Sequence, residues 1–181
     1  MGLLDEVRAR AEAVCKSARF VQVQTDVIET YALALPLEQA RDAALDPESH
    51  YFGAPDETLA FVLTLDAINF GSGYFPKLTK RPGLSGYFTI ATSLKECYEG
   101  ESPLSAERLQ ALNAIDCTRI FGQTDNEEPA VAELMTLFSR ALNDLGTYVL
   151  ERFGGSFRAL VAAADSSAER LLAILAEMPF Y

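Results

Sequence analysis

Asp66 and Asn69 stand three residues apart in TLAFVLTLDAINF, Thr58 to Phe70, a run that is otherwise almost wholly apolar. That spacing puts a carboxylate and a carboxamide on one face of a helix. A carboxylate inside an apolar helix costs on the order of several kcal/mol or takes up a proton, so Asp66 must be hydrogen-bonded, paired or turned toward a hollow. Two readings stand at this point. Asp66 accepts backbone N–H groups from the Gly71-Ser72-Gly73 turn that follows, or it meets a ligand.

Other residue types with chemical potential cluster just downstream. Lys77, Lys80 and Arg81 form the densest positive patch of the chain and would suit a phosphate, although flexible cations beside Pro82 and Gly83 also fit a solvated loop. Tyr74, Phe75, Tyr87 and Phe88 surround the patch. Aromatic faces of this kind sandwich flat heterocycles, and equally they fill cores. His50, the sole histidine, stands next to Tyr51 and Phe52 and either joins such a pocket or serves as a satisfied structural residue. One histidine excludes multi-histidine metal sites, and no nucleophile elbow, phosphate-binding glycine loop or dinucleotide fingerprint accompanies it.

The elements that must position these groups are helical. Leu3 to Cys15 carries Leu3, Leu4, Val7, Ala11 and Val14 at helical spacing. Thr25 to Leu35 reads as a second helix that stops before Pro36, and Thr58 to Phe70 as a third, central to the core. A loop or loose hairpin rich in Gly and Pro follows. Further helices are expected over Thr89 to Tyr98, from Ser105 to Leu112, and from an Asp116 cap to Gly122. Pro129 opens the longest helix, with Val131, Leu134, Phe138, Leu142, Leu145 and Val149 on one stripe up to Gly154-Gly155. Ser156 caps a short helix. A capping box of Ser166 and Glu169 starts the last, whose buried face is expected to be Leu171, Leu172, Leu175 and Met178. FVQVQ, Phe20 to Gln24, alternates apolar and polar residues and leaves room for a short N-terminal strand or hairpin in an otherwise all-α chain. No linker or repeat divides residues 1–181, so a single helical domain is expected.

The bulk numbers narrow the partners. Of 181 residues, 26 are acidic and 15 basic, a formal net charge of -11; such a surface repels polyanions, so direct nucleic-acid binding is not expected, whereas a small nucleotide needs only a few local donors. The apolar runs are too short for a membrane span, and the acidic start does not fit a signal peptide, so a cytoplasmic protein is expected. Cys15, Cys97 and Cys117, odd in number and widely spaced, suggest buried thiols rather than a disulfide framework or zinc cluster. The chain finishes on the apolar Met178-Pro179-Phe180-Tyr181, which either closes the core or continues into further sequence.

FVLTLDAINFGSGYFP, then SGYF, then LNDLG followed by LERFGGSF, resemble in text and order the queuosine salvage proteins, from about Ala60 to Tyr181. The resemblance implies hydrolysis of the N-glycosidic bond of queuosine 5'-monophosphate, release of queuine for salvage into tRNA, a fold related to helical DNA glycosylases, and no metal or organic cofactor. It also implies that Asp66 acts in catalysis and that Asn69, Phe70, Ser85 and Tyr87 line the substrate pocket; His50, read from its neighbours Tyr51 and Phe52, joins the expected pocket. Family motifs resembling FYKRAQ and FADY do not occur here, so the chain is expected to be the N-terminal part of a longer enzyme. Two other readings stay open: a non-catalytic helical module that holds a nucleobase, and a structural helical protein that associates through Phe180 and Tyr181. Oligomeric state is not legible.

Overall fold

The computed structural model describes residues 3–39, 45–100 and 103–180, and side chains from Asp5 onward. Among the described residues it is all-helical, with nine α-helices and three single 3-10 turns. The chain divides into two units, Met1–Ala44 and Leu45–Tyr181.

In the first unit, α1 (Leu3–Ser17) and α2 (Ile28–Leu33) are joined through a 3-10 turn at Thr25–Val27, and Leu37–Gln39 forms another. The expected apolar stripe of α1 is present as a helix face, but Val7 and Val14 are exposed; Leu3 and Leu4 fall outside the described side chains. The expected strand at Phe20 to Gln24 does not form. These residues are irregular, with Phe20 98% exposed and Val21 and Val23 exposed too. Alternation alone does not make a strand, because its backbone groups need a partner to pair with, and none of the described residues supplies one.

The second unit is built around α7 (Pro129–Phe153), preceded by α3 (Pro55–Ala67), α4 (Gly86–Glu99), α5 (Ala106–Ala111) and α6 (Ala114–Ile120), and followed by α8 (Phe157–Ala163) and α9 (Ala168–Leu175). All six stripe residues of α7 named above are buried, and the helix packs against α3, α5, α6 and α8. Pro129 occupies its first turn, and Gly154 ends it in the left-handed conformation at φ 60°, a geometry that side chains with a Cβ adopt at a cost.

The close seam between α5 and α7 has a sequence cause. Gly146 faces α5 so tightly that a β-carbon would run into the backbone N of Gln110 and O of Ala106. Three residues earlier, the Asn143 amide donates to the carbonyls of Leu109, Gln110 and Leu112 at 2.9, 3.0 and 2.7 Å. It thereby supplies donors to the carbonyls that the end of α5 leaves orphaned.

Several boundaries differ from the expected ones for reasons of capping. Helix α3 starts at Pro55 rather than Thr58 because proline suits the first turn. Helix α4 starts at Gly86 because Ser85 Oγ accepts the Phe88 N–H. Asn113, not Asp116, is the N-cap of α6, and Asp116 completes its capping box from the third position. Ser167, not Ser166, caps α9 by accepting the Arg170 N–H, while Ser166 takes φ 58° in the turn before it. Of the expected buried face, Leu171 and Leu175 pack against the core and Met178 is buried, while Leu172 is 45% exposed and Ile174 packs in addition. Of the thiols expected to be buried, only Cys117 is so; Cys97 is half-buried and Cys15 exposed.

Candidate functional site

The DAINF block ends α3. Ala67 and Ile68 are core residues, and the Ile68 and Asn69 N–H groups close the helix by donating to the Leu65 and Asp66 carbonyls. Asp66 itself corrects the expectation of a carboxylate inside the core, because it and Asn69 are exposed. Leu59, Val62, Asp66 and Asn69 follow one another at helical spacing along the least buried stripe of α3. The first two are apolar, which is why the helix reads from sequence as buried all round. The tether reading also fails: among the described residues, no amide of the Gly71-Ser72-Gly73 turn donates to the Asp66 carboxylate.

Exposure to solvent does not leave Asp66 in bulk-like surroundings. Desolvation by the protein around it raises its carboxyl above the usual carboxylate range, and a hydrogen-bonding interaction with the Asn69 side chain pulls the other way. Across the contact between α3 and α4, the Tyr87 phenol is raised as well, first by burial and then by the charge of Asp66. A carboxylate, a carboxamide and a phenol therefore share one electrostatic neighbourhood.

SGYF mounts the phenol. Ser85 caps α4; Gly86 is buried where any β-carbon would enter the Phe75 ring. Tyr87 and Phe88 meet edge to face at 5.2 Å. Behind Tyr87 lies His50, 5% exposed, with Nε2 2.9 Å from the Tyr87 hydroxyl. Its ring stands edge-on to Phe61 and Phe88. His50 is thus a buried partner of the site face.

The remaining expected residues divide. Ser85 is exposed at the same helix end as Tyr87, with its hydroxyl engaged as a cap. Phe70 turns elsewhere: its ring meets Phe138 edge-on at 5.4 Å and Phe180 at 5.5 Å, and Arg140 lies over Phe180. The basic patch is largely committed within the protein. Arg81 pairs with Glu96 at 2.6 and 2.7 Å and reaches Ser93 at 3.1 Å, and Lys77 faces Glu128 at 3.5 Å.

Two hollows of the second unit lie away from Asp66. One of about 410 Å³ is lined by Asp56, Tyr98, Ser105, Ser156 and Arg158 among others, and the Arg158–Asp56 ion pair lies on its wall. The other, about 330 Å³, lies between α7 and Phe180. Among the described residues no three His, Cys, Asp or Glu side chains gather to hold a metal ion, and no helix is long and apolar enough to cross a membrane.

The later blocks do scaffold work that their text does not announce. In LNDLG, Leu142 and Leu145 are core, Asn143 caps α5, Asp144 accepts the Phe180 N–H at 3.0 Å, and Gly146 admits α5. In FGGSF, Gly154 ends α7 and Ser156 caps α8 by accepting the Ala159 N–H at 3.1 Å.

Comparison with known proteins places the same stretch in a family. The chain is 29% identical over 166 residues to the queuosine 5'-phosphate N-glycosylase/hydrolase of Sphaerobacter thermophilus, covering 90% of this chain and 50% of that protein. It is 26% identical over 180 residues to the Mus musculus protein of the same name, covering 94% and 53%. A Bos taurus relative of that name is 30% identical over 93 residues, covering 51% and 27%. The chain thus spans about half the length of the first two curated relatives. Residues 49–181, which hold the Asp66 face and every motif block, match the queuosine salvage protein model, and the chain belongs to that family.

Proposed function

We propose that this chain takes part in hydrolysis of the N-glycosidic bond of queuosine 5'-monophosphate, releasing queuine for reuse in tRNA. The observation that carries the reading is the family match over residues 49–181. The names of the relatives specify the bond and the nucleotide. The helical unit Leu45–Tyr181 carries the matched residues and acts in the cytoplasm as the N-terminal part of a longer enzyme. The formal charge of -11 favours a free mononucleotide over a nucleic-acid duplex, since neutralising a phosphate backbone takes a basic surface.

In the proposed mechanism the C–N bond breaks through an oxocarbenium-like ribosyl cation, and a carboxylate beneath the sugar stabilises the developing positive charge. Hydrogen bonds to the departing 7-deazaguanine take up the negative charge, and water completes the ribose. Asp66 serves as the carboxylate or positions that water. Asn69 and Tyr87 recognise the base, Ser85 and His50 complete the surroundings of Tyr87, and Phe70 holds the end of α3 against α7. No metal or organic cofactor is called for.

The test is incubation with queuosine 5'-monophosphate and chromatographic detection of queuine and ribose 5-phosphate, for the chain and its Asp66→Asn and Asp66→Ala variants. Release that both variants leave unchanged would remove Asp66 from the mechanism. Binding of queuine without release by the unaltered chain would support a second reading, a helical module that holds the base, which the open position of Asp66 and Asn69 favours.

A further inference from the structure

His50 is fixed from both sides. The turn that carries it, 46–50, is anchored by the Asp46 carboxylate, which accepts the Glu48 N–H at 3.0 Å. Lys95 on α4 donates to the carbonyls of Pro47 and Glu48 at 3.0 and 3.3 Å. The same helix carries Tyr87, so donor and acceptor are mounted on one frame. Nδ1 of His50 lies within hydrogen-bond distance of both backbone groups of Asp46, its N at 2.9 Å and its O at 3.0 Å.

Those two contacts demand opposite tautomers, and the surrounding bonds decide between them. The Asp46 carbonyl already accepts two N–H groups, from Ser49 at 3.1 Å and His50 at 2.8 Å, which uses both lone pairs. The Asp46 N–H has His50 Nδ1 as its acceptor. A proton on Nδ1 would orphan that N–H and crowd a third donor onto the carbonyl. An unpaired group in partly buried surroundings is the costlier outcome, so Nδ1 accepts and the proton sits on Nε2.

We infer that His50 is a positioning residue: its Nε2–H donates to the Tyr87 hydroxyl and thereby leaves the phenolic proton free for another acceptor, such as a ligand atom on that face. Tyr87 then has its proton to give, which suits a ligand that presents an acceptor oxygen or nitrogen. In the opposite tautomer the phenol would spend its proton on Nε2 and could only accept. What Tyr87 donates to depends on the nucleotide reading above, whereas the tautomer does not.

Because His50 is the sole histidine of the chain, a multiple-bond ¹H–¹⁵N spectrum of uniformly labelled protein, taken at a pH where the ring is neutral, contains one imidazole pattern. The expected pattern has a pyrrole-like Nε2 and a pyridine-like Nδ1. A proton on Nδ1 overturns the inference whatever binds. Tyr87→Phe should move the Nε2 shift and leave the fold intact by circular dichroism; an unmoved Nε2 shift would show that the contact is not made in solution, and overturns it too. With queuosine 5'-monophosphate as the probe in calorimetry, Tyr87→Phe should weaken binding about tenfold. His50→Gln, which keeps a donor near the Nε2 position, should retain more affinity than His50→Leu. If the unaltered chain binds no nucleotide, the nucleotide reading fails by itself and the tautomer spectrum still decides the role of His50.

Discussion

The Asp144 carboxylate accepts the Phe180 backbone N–H at 3.0 Å, so the last described residue is tied to the middle of α7 by a charge-assisted bond. That tie holds the Phe180 ring against Phe70. Asp144→Ala should cost about 1–3 kcal/mol and speed hydrogen exchange at Phe180. Unaltered exchange there would mean that this bond does not hold Phe180 in place.

At the α5–α7 seam, Gly146→Ala should be among the most damaging single-methyl additions. The new β-carbon meets backbone on both sides, which cannot step aside as a flexible side chain can, so a loss of about 2–4 kcal/mol is expected. Asn143→Leu at the same seam leaves carbonyls of α5 without their donor, at about 1–3 kcal/mol. Urea unfolding followed by circular dichroism measures both, and a glycine variant as stable as the parent would contradict the packing described.

Two carboxyl groups should shape stability against pH in opposite senses. Glu96 is lowered, chiefly by its hydrogen bonds to Arg81, so its contribution is present above its unfolded value and is lost as pH falls through the lower folded value. Its side chain is 56% exposed, which limits the effect to about 1 kcal/mol or less. Asp66 is raised by desolvation, so its contribution is full below its unfolded value and is lost as pH rises through the folded one. Asp66→Asn should therefore remove a destabilising charge at neutral pH, and Glu96→Gln should flatten the acid limb. Denaturation midpoints across the acid range distinguish the two; Asp66→Asn that destabilises at neutral pH would contradict the sign.

The coupling between Asp66 and Tyr87 is separately measurable. Removing the carboxylate removes the second of the two causes that hold the phenol above its ordinary value, so Asp66→Asn should lower the Tyr87 titration midpoint. Carbon NMR of tyrosine labelled at Cζ reads this directly, and an unshifted midpoint would separate the two groups.

Thiol reagents should find one fast cysteine. Cys15 is exposed, whereas burial raises the Cys97 thiol and pushes Cys117 up to about 12. With so little thiolate at neutral pH, Cys117 should react only on unfolding. Mass spectrometry after brief iodoacetamide treatment checks the order.

Much of the helical frame was legible in the residues, because the α7 stripe repeats at helical spacing and proline and glycine mark its ends. What failed had local causes. Ser166 and Ser167 are equally good caps by type, and only the turn geometry chooses between them. Asp66 was misplaced because Leu59 and Val62, on the same outer stripe, look like core. The motif blocks behind the resemblance do not announce their division of labour: Asn143, Gly146, Gly86 and Gly154 hold helices together, whereas Asp66, Asn69 and Tyr87 share an electrostatic neighbourhood. The His50–Tyr87 pair, 37 residues apart, had no signal in spacing at all.

At 25 residues, α7 runs about 37 Å. Because α3, α5, α6 and α8 all lean on this one rod, none of them keeps its buried surface if the rod melts. Residues 45–180 should consequently come apart in a single step, and a protease that nicks any of the short connections ought to leave either an intact assembly or small peptides, with no durable fragment between the two.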